Sequence, residues 1–535
     1  MDNRFYFGFN TSEERKKRRK AELYSMSEQV STFFWDEAPQ HGLEMREGQQ
    51  DMSFEIVDAL INDQHFAIEA GVGIGKSFGY LVPVLLYSKR MNKPVIIATS
   101  TIALQEQLWR DVHAVMPLLG LNRDVILAKG QTHYLCNKRA DEYMCDPKAD
   151  PPDALKEGIK QGYEERKDFP EVLPQGVWDK VNVQRFSMKN CGSCEKKCKY
   201  YKVRAALKFT DGVVLCNQDF LTQHLMKLRR GQEGLINAAA DLLVVDEAHN
   251  LDDKVRSATT ERFRQGMLFG MIKSAFYELR SFDQSSVSGE KREAESAIIA
   301  FYNCLKAQVQ KQINEAEQDM RYADRFFFDN NGSAIELLTE MNAAIHNLSS
   351  SIQIYSSMDF RNNRSFAASD DLDAVSESLS ELLDRIDDML IWIEQRGSNT
   401  ELVYCPKNTR EIVSRLYFNG DERTILTSAT LTNATSGSLE EQYSYFICNT
   451  GFPAGDRGCL SEPKPSPYPY DEHAMIYYCD DLPHPTREHE AFIEKGVERL
   501  LEILSISNGK ALVLFTAKTD MEEVYSILSE KNLPY

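Results

Sequence analysis

Three groups of residues in this sequence carry chemistry. The first is Ala70 to Ser77, AGVGIGKS. Gly71, Gly73 and Gly75 let backbone N–H groups close around phosphate oxygens. Lys76 brings a positive charge to the β- and γ-phosphates, and Ser77 offers a hydroxyl to Mg2+. The second is Val244 to His249, VVDEAH, where an apolar run ends in two adjacent carboxylates. Asp246 is suited to hold Mg2+ and Glu247 to polarise an attacking water. The third is Cys136 with Cys191, Cys194 and Cys198, the last three spaced C-x2-C-x3-C. Four such thiolates hold either a [4Fe–4S] cluster or a structural Zn2+, and spacing alone does not separate the two. Cys145 is a spare that could substitute. Cys216, on the apolar run GVVLC, reads as core.

A phosphate loop works only between a strand and a helix, and both are legible. HFAIEA (65–70) reads as a buried strand and KSFGYLVPVLLYSKR as the helix that follows. Further strands are expected at 95–98, near 125–128 and at 241–245, with a helix at 102–115. Strands alternating with helices predict an α/β fold with a parallel sheet covered on both faces. The first such domain spans 46–130 and 211–250. A Cys-rich insertion, 131–210, interrupts it. Residues 251–400 change character: Leu372, Val375, Leu379, Leu382, Ile386, Leu390 and Ile393 step by three and four, which predicts one stripe on a long helix in an all-α insertion. Strand signals return at 423–427, 474–478 and 511–515, so a second, incomplete α/β domain is expected over 401–535. Residues 1–45 are a polar lead-in whose basic block, EERKKRRK, reads as a solvated helix face.

Composition narrows the class. The chain has 535 residues, 42% hydrophobic and 27% charged, which excludes a mostly disordered chain, a collagen and a small disulfide scaffold. No apolar run reaches the ~20 residues needed to span a bilayer, and the N-terminus carries no secretory signal. A cytoplasmic protein without membrane association is expected, with its 11 cysteines serving as ligands or core rather than disulfides. The net charge of −19 argues against nucleic acid, yet residues 185–208 carry eight basic residues against one acid. Lys199, Tyr200, Tyr201, Lys202 and Arg204 interleave charge with aromatic faces, the combination single-stranded DNA binding needs.

The order phosphate loop, DEAH, then Ser428-Ala429-Thr430 is that of superfamily 2 helicases, and the chain resembles the DinG/XPD-like iron–sulfur helicases over nearly its whole length. Arg46 and Gln49, in REGQ with Met52, resemble the adenine-reading Q motif. Thr99, Thr101 and LQEQL (104–108, with Gln105) resemble a motif that touches the DNA backbone. Lys129-Gly130 with Tyr134-Leu135-Cys136 resembles the run into the first cluster ligand. TSATL (427–431) resembles the motif coupling hydrolysis to DNA, and His249 the residue that bridges it to the ATP site. Ser466-Pro467-Tyr468 and residues 512–516 resemble the opening of a second motor domain.

The resemblance implies RecA-like motor domains carrying an iron–sulfur insertion and a helical arch. It implies ATP and Mg2+ as ligands, and an iron–sulfur cluster rather than zinc, on Cys136, Cys191, Cys194 and Cys198. It further implies 5′→3′ unwinding of forked DNA by a monomer in DNA repair or replication, and admits a single-stranded-DNA-binding protein as partner. With only about 45 residues before the Q motif, no N-terminal exonuclease is expected. In the family, arginines of a Gln-x-x-Gly-Arg-x-x-Arg motif reach the γ-phosphate. No such motif follows Phe515. An arginine finger is worth roughly 10³–10⁵ in rate, so this polypeptide is expected to bind ATP and hydrolyse it poorly, with an open, aggregation-prone sheet edge. The rival expectation is a nucleotide- and single-stranded-DNA-binding protein that does not translocate.

Overall fold

The computed structural model describes residues 12–44, 46–170, 173–184, 191, 198–279, 284–315, 324–330, 332–358, 367–397, 399–531 and 533–534. They fall into two units, Met1–Pro467 and Tyr468–Tyr535. In the first unit the strands are β1 (His65–Glu69), β2 (Val95–Thr99), β3 (Val125–Leu127), β4 (Val213–Asn217), β5 (Leu242–Asp246), β6 (Glu261–Arg264), β7 (Arg325–Phe327), β8 (Met389–Arg396), β9 (Asn399–Pro406), β10 (Arg423–Ser428) and β11 (Gly458–Leu460). The helices that matter below are α1 (Glu47–Ile61), α2 (Lys76–Met91), α3 (Ile102–Leu118), α4 (Lys199–Phe209), α5 (Gln218–Arg229) and α6 (Ala367–Asp384).

Seven strands form one parallel sheet in the order β11-β1-β10-β5-β2-β4-β3. Most are short Val/Ile/Leu runs buried on both faces, as a parallel sheet between helix layers demands. One face packs under α1, α2 and α3 through residues such as Ile56, Tyr80, Leu85 and Val112. The other packs under α5 and neighbouring helices through Leu221, Val255, Leu416 and Tyr443. The N-terminal helix Ser12–Thr32 adds Leu23, Met26 and Val30 to the first layer.

The register aligns the chemistry. Glu69 lies opposite Ser428 and Thr427 opposite Asp246, so the phosphate loop, the TSAT run and the DEAH run leave three adjacent strands at one edge. In a parallel sheet that edge, at the carboxyl ends, is where ligands bind.

Several expectations change here. The boundary at 401 does not hold for the sheet: β10 lies between β1 and β5, and β11 borders β1, so residues up to 467 complete the first domain. A buried parallel strand needs a neighbour on each side, and the chain supplies these two only after the long excursion of residues 251–422. That excursion is not all-α. Its helices pack against a four-stranded antiparallel sheet, β6-β9-β8-β7. The expected long stripe breaks accordingly. Leu372 to Leu382 lie on α6, but Ile386 sits in a one-turn 3-10 helix and Leu390 and Ile393 lie on β8. MLIWIEQR is rich in β-branched and aromatic residues, and its eight register pairs with β9 outweigh the helical spacing.

The second unit holds helices His489–Ser507 and Lys518–Ser529, packed through Ile493, Val497 and Val524. The strands expected at 474–478 and 511–515 do not form. Ile476 is 96% exposed and Leu512 86%. A strand exists only where another strand pairs with it, and none is present among the described residues of this unit. Among the described residues no helix is long and apolar enough to cross a membrane.

Candidate nucleotide site and Cys-rich insertion

The loop between β1 and α2 takes the shape a phosphate requires. Gly73 and Gly75 adopt φ of 91° and 88°, the left-handed region that glycine occupies without strain. A Cβ at Gly71 would come within 2.6 Å of the Ser466 amide nitrogen, so the close approach of the Ser466 backbone depends on that glycine. Gln49, on α1, donates from Nε2 to the Gly75 carbonyl at 2.9 Å. Its Oε1 is buried with no hydrogen-bond partner. An amide that braces the loop and keeps one acceptor unspent fits the adenine-reading role. Arg46, which caps α1, is half-buried and 3.6 Å from Glu44.

Lys76 Nζ lies 2.9 Å from Glu247 Oε1. Asp246 receives only neutral donors, the Tyr80 hydroxyl at 3.4 Å and the Glu247 amide at 3.0 Å. Burial pushes its carboxyl up to about 6, with Lys76 opposing and Glu247 adding. A half-buried carboxylate at this strand end, so supplied, fits a divalent cation. Mg2+ there would neutralise phosphate charge.

Glu247 itself adopts φ 57°, unusual for a side-chain-bearing residue. Gln218, the first residue of α5, holds this turn by donating to the carbonyls of Asp246 and Glu247 at 2.7 and 3.1 Å. Ser428 Oγ donates to Glu247 Oε2 at 3.3 Å, and His249 Nδ1 lies 2.7 Å from the same hydroxyl. The DEAH run and the TSAT run are thus one hydrogen-bonded group. Glu69 closes it from β1: its Oε2 accepts from the Leu431 and Thr432 amides and the Thr432 hydroxyl, at 2.6, 2.7 and 2.9 Å. Tyr443 accepts from the Glu69 amide and donates to the Ser461 carbonyl.

Gln218, Tyr443 and the bridging role of Glu69 were missed in the sequence. Gln218 had a signal: Asn217-Gln218 is a polar pair ending an apolar strand, as Asp246-Glu247 is. Tyr443 had none, because it reaches the site only through the fold.

The DNA-contact candidates separate. Thr99 is buried and its hydroxyl donates to the Thr101 carbonyl at 3.0 Å. Gln105 is fully buried and donates to the carbonyls of Ala128 and Leu215. Tyr200 is buried against Tyr134, with ring centroids 5.1 Å apart. Arg204 is buried and bonded to the Leu235 carbonyl, and Lys199 pairs with Glu165 at 2.7 Å. These five are engaged within the protein, and Arg185, Lys189, Lys196 and Lys197 of the basic stretch lie outside the described residues. Thr101 and Lys202 are exposed and Tyr201 half-buried.

In the insertion, Cys136 and Cys198 pack against one apolar cluster of Tyr134, Val183 and Tyr200. Burial raises the Cys198 thiol, the amides of Tyr201 and Tyr200 oppose, and Cys136 and Cys191 add, so the three thiols are near enough to feel one another. Among the described residues no group of three or more His, Cys, Asp or Glu is arranged to hold a metal ion, and Cys194 lies outside them. Cys145 is exposed and Cys216 is core, its thiol raised by burial.

A phosphate loop and a DEAH run on parallel strands either side of the strand that carries the TSAT loop, and tied to that loop, define a helicase-class P-loop motor. Comparison with known proteins agrees. The DEAD_2 family model matches residues 132–268. The chain is 24% identical to "Probable ATP-dependent helicase YpvA" of Bacillus subtilis, across 95% of this chain and 77% of that protein. It is 26% identical to "3'-5' exonuclease DinG" of the same organism, across 91% and 56%. It is 25% identical to "ATP-dependent DNA helicase YoaA" of Escherichia coli, across 90% and 73%. By these matches the chain is similar to DinG-like ATP-dependent helicases over most of its length, and residues 132–268 match the DEAD_2 family.

Proposed function

We propose that this chain is the motor of an ATP-dependent DNA helicase that translocates 5′→3′ on single-stranded DNA and opens forked duplexes. One observation carries the reading: Lys76, Glu247, Ser428 and His249 form a continuous chain of contacts between the phosphate loop and the TSAT loop. Lys76 holds the β- and γ-phosphates, Ser77 and Asp246 hold Mg2+, and Glu247 orients the attacking water. When the phosphates draw Lys76 away, Glu247 is released toward that water. His249 and Ser428 then report its position to the DNA-coupling loop. Cys136, Cys191, Cys194 and Cys198 are assigned to an iron–sulfur cluster, with zinc as the alternative. Metal analysis together with the visible spectrum of anaerobically purified protein separates the two.

The test is ATP turnover with and without single-stranded DNA. Turnover should be stimulated by DNA and abolished by Lys76→Ala. Retained turnover in Lys76→Ala would sink the assignment. Forks with a single 5′ or 3′ tail decide the polarity.

A further inference from the structure

Lys129 is 4% exposed, yet it carries a charge. It is held by two carboxylates from different parts of the chain. Glu106, on α3 of the motor, lies 2.8 Å away, and Glu165, inside the insertion, 2.9 Å. Each carboxylate takes a second lysine: Lys167 meets Glu106 at 2.7 Å, and Lys199 meets Glu165 at 2.7 Å. Burial pushes both carboxyls up, but the lysines more than offset it and leave both below the ordinary range.

The far end of this network reaches the cysteines. Lys199 opens α4 and directly follows Cys198, whose thiol faces the amides of Tyr200 and Tyr201. Glu165 pairs with Tyr134, two residues before Cys136. Its own backbone is fixed by the Asp168 carboxylate at 2.9 Å. Removing Lys129 leaves Glu165 with one half-exposed partner and takes away the insertion's buried ionic tie to α3.

We propose that Lys129 is a positioning residue that seats the Cys-rich insertion on α3 and thereby fixes the Cys198 thiol beside Cys136. The seat deepens the metal-binding reading of the insertion, but its test needs neither metal nor turnover.

The test is thiol labelling of the full chain under anaerobic, reducing conditions, with a maleimide and per-cysteine rates read by mass spectrometry. Cys216, buried in β4, reports the global fold, and exposed Cys448 reports the reagent. In Lys129→Met, Cys198 should react measurably faster than in the parent chain. Cys216 and Cys448 should keep their rates. Glu165→Gln should act in the same direction while keeping the Lys129–Glu106 pair. Lys167→Met should leave Cys198 unchanged. If Cys198 and Cys216 accelerate together, Lys129 only holds the fold and the proposal falls. If Cys198 does not accelerate in either variant, the proposal falls as well.

Discussion

The nucleotide site and the Cys-rich insertion build their chemistry in opposite ways. At the nucleotide site each functional side chain leaves the end of a strand or the first turn of a helix behind it. Strand register then sets the spacing: Glu69 against Ser428, Thr427 against Asp246. In the insertion Cys136 and Cys198 flank helices beside a small apolar cluster, and buried ion pairs tie the insertion to the motor. A parallel sheet imposes geometry that tolerates change around it. An ion-pair seat is a local arrangement in which every member must be present.

The sharpest way to break the comparison is at the strand ends. Glu247→Gln keeps the shape and the hydrogen bond from Ser428 but removes the carboxylate. Steady-state turnover should fall about 10²–10⁴-fold, the range for losing a general base, while ATP affinity stays within a few-fold. Gln cannot pair with Lys76 as Glu247 does, so phosphate binding gains rather than loses from the change. A variant that hydrolyses ATP at the original rate would remove Glu247 from the mechanism.

Acid titration separates the regions next. His65 Nδ1 accepts from the Thr424 amide at 3.1 Å while Nε2 faces the Phe418 carbonyl at 3.1 Å. His224 Nδ1 accepts from the Leu235 and Ile236 amides. Each ring therefore has to be neutral, and burial brings each down to about 4, with nearby arginines adding. Between the ordinary 6.5 and 4 the unfolded chain binds more protons than the folded one, so stability falls as pH drops through that window. The loss should approach about 3 kcal/mol per histidine, the shift of 6.5 − 4 = 2.5 units at about 1.36 kcal/mol each. Glu106 and Glu165 act later: with folded values below 4.5, their contribution is complete above 4.5 and is lost only as pH falls through the lower value. Asp246, raised to about 6, works in the opposite sense over part of this window, so the fall is read in Asp246→Asn, where denaturant unfolding of the motor should weaken between pH 6.5 and 4, before the seat of the insertion does. A flat profile there, or the reverse order, breaks the account.

The same contrast explains what was legible. Ala70–Ser77 and Val244–His249 could be read because local sequence places them at strand ends, and the sheet does the rest. The position of β10 could not, since its neighbours β1 and β5 are more than 170 residues away in sequence. Leu390 and Ile393 followed a helical period but were claimed by β9, a partner no local window contains. The basic–aromatic stretch misled for a related reason. Charge and ring spacing are visible in sequence, but Tyr200 is spent on Tyr134 and Lys199 on Glu165, both far upstream. Lys129 was visible as part of the run into Cys136, but its burial was not, because a lysine is expected on the surface and only the fold brings Glu106 and Glu165 around it.

The smallest effect falls on α3, the element both regions share. Thr101 caps this helix, its hydroxyl accepting from the Leu104 amide at 3.3 Å, and Glu106 follows on the second turn. Thr101→Ala should cost about 1 kcal/mol in denaturant unfolding, the usual loss for a missing cap. Thr101→Ser should restore it. Thr101 is also exposed, and under the proposed function it is a candidate DNA contact. The two roles divide by measurement. If Thr101 is only a cap, single-stranded DNA affinity tracks stability and returns with Thr101→Asp, which caps equally well. If its hydroxyl also meets a phosphate, Thr101→Asp restores stability but weakens DNA binding, because a carboxylate repels the phosphate to which the hydroxyl would donate. The aspartate variant therefore decides whether α3 begins at a DNA contact or merely at a well-made helix end.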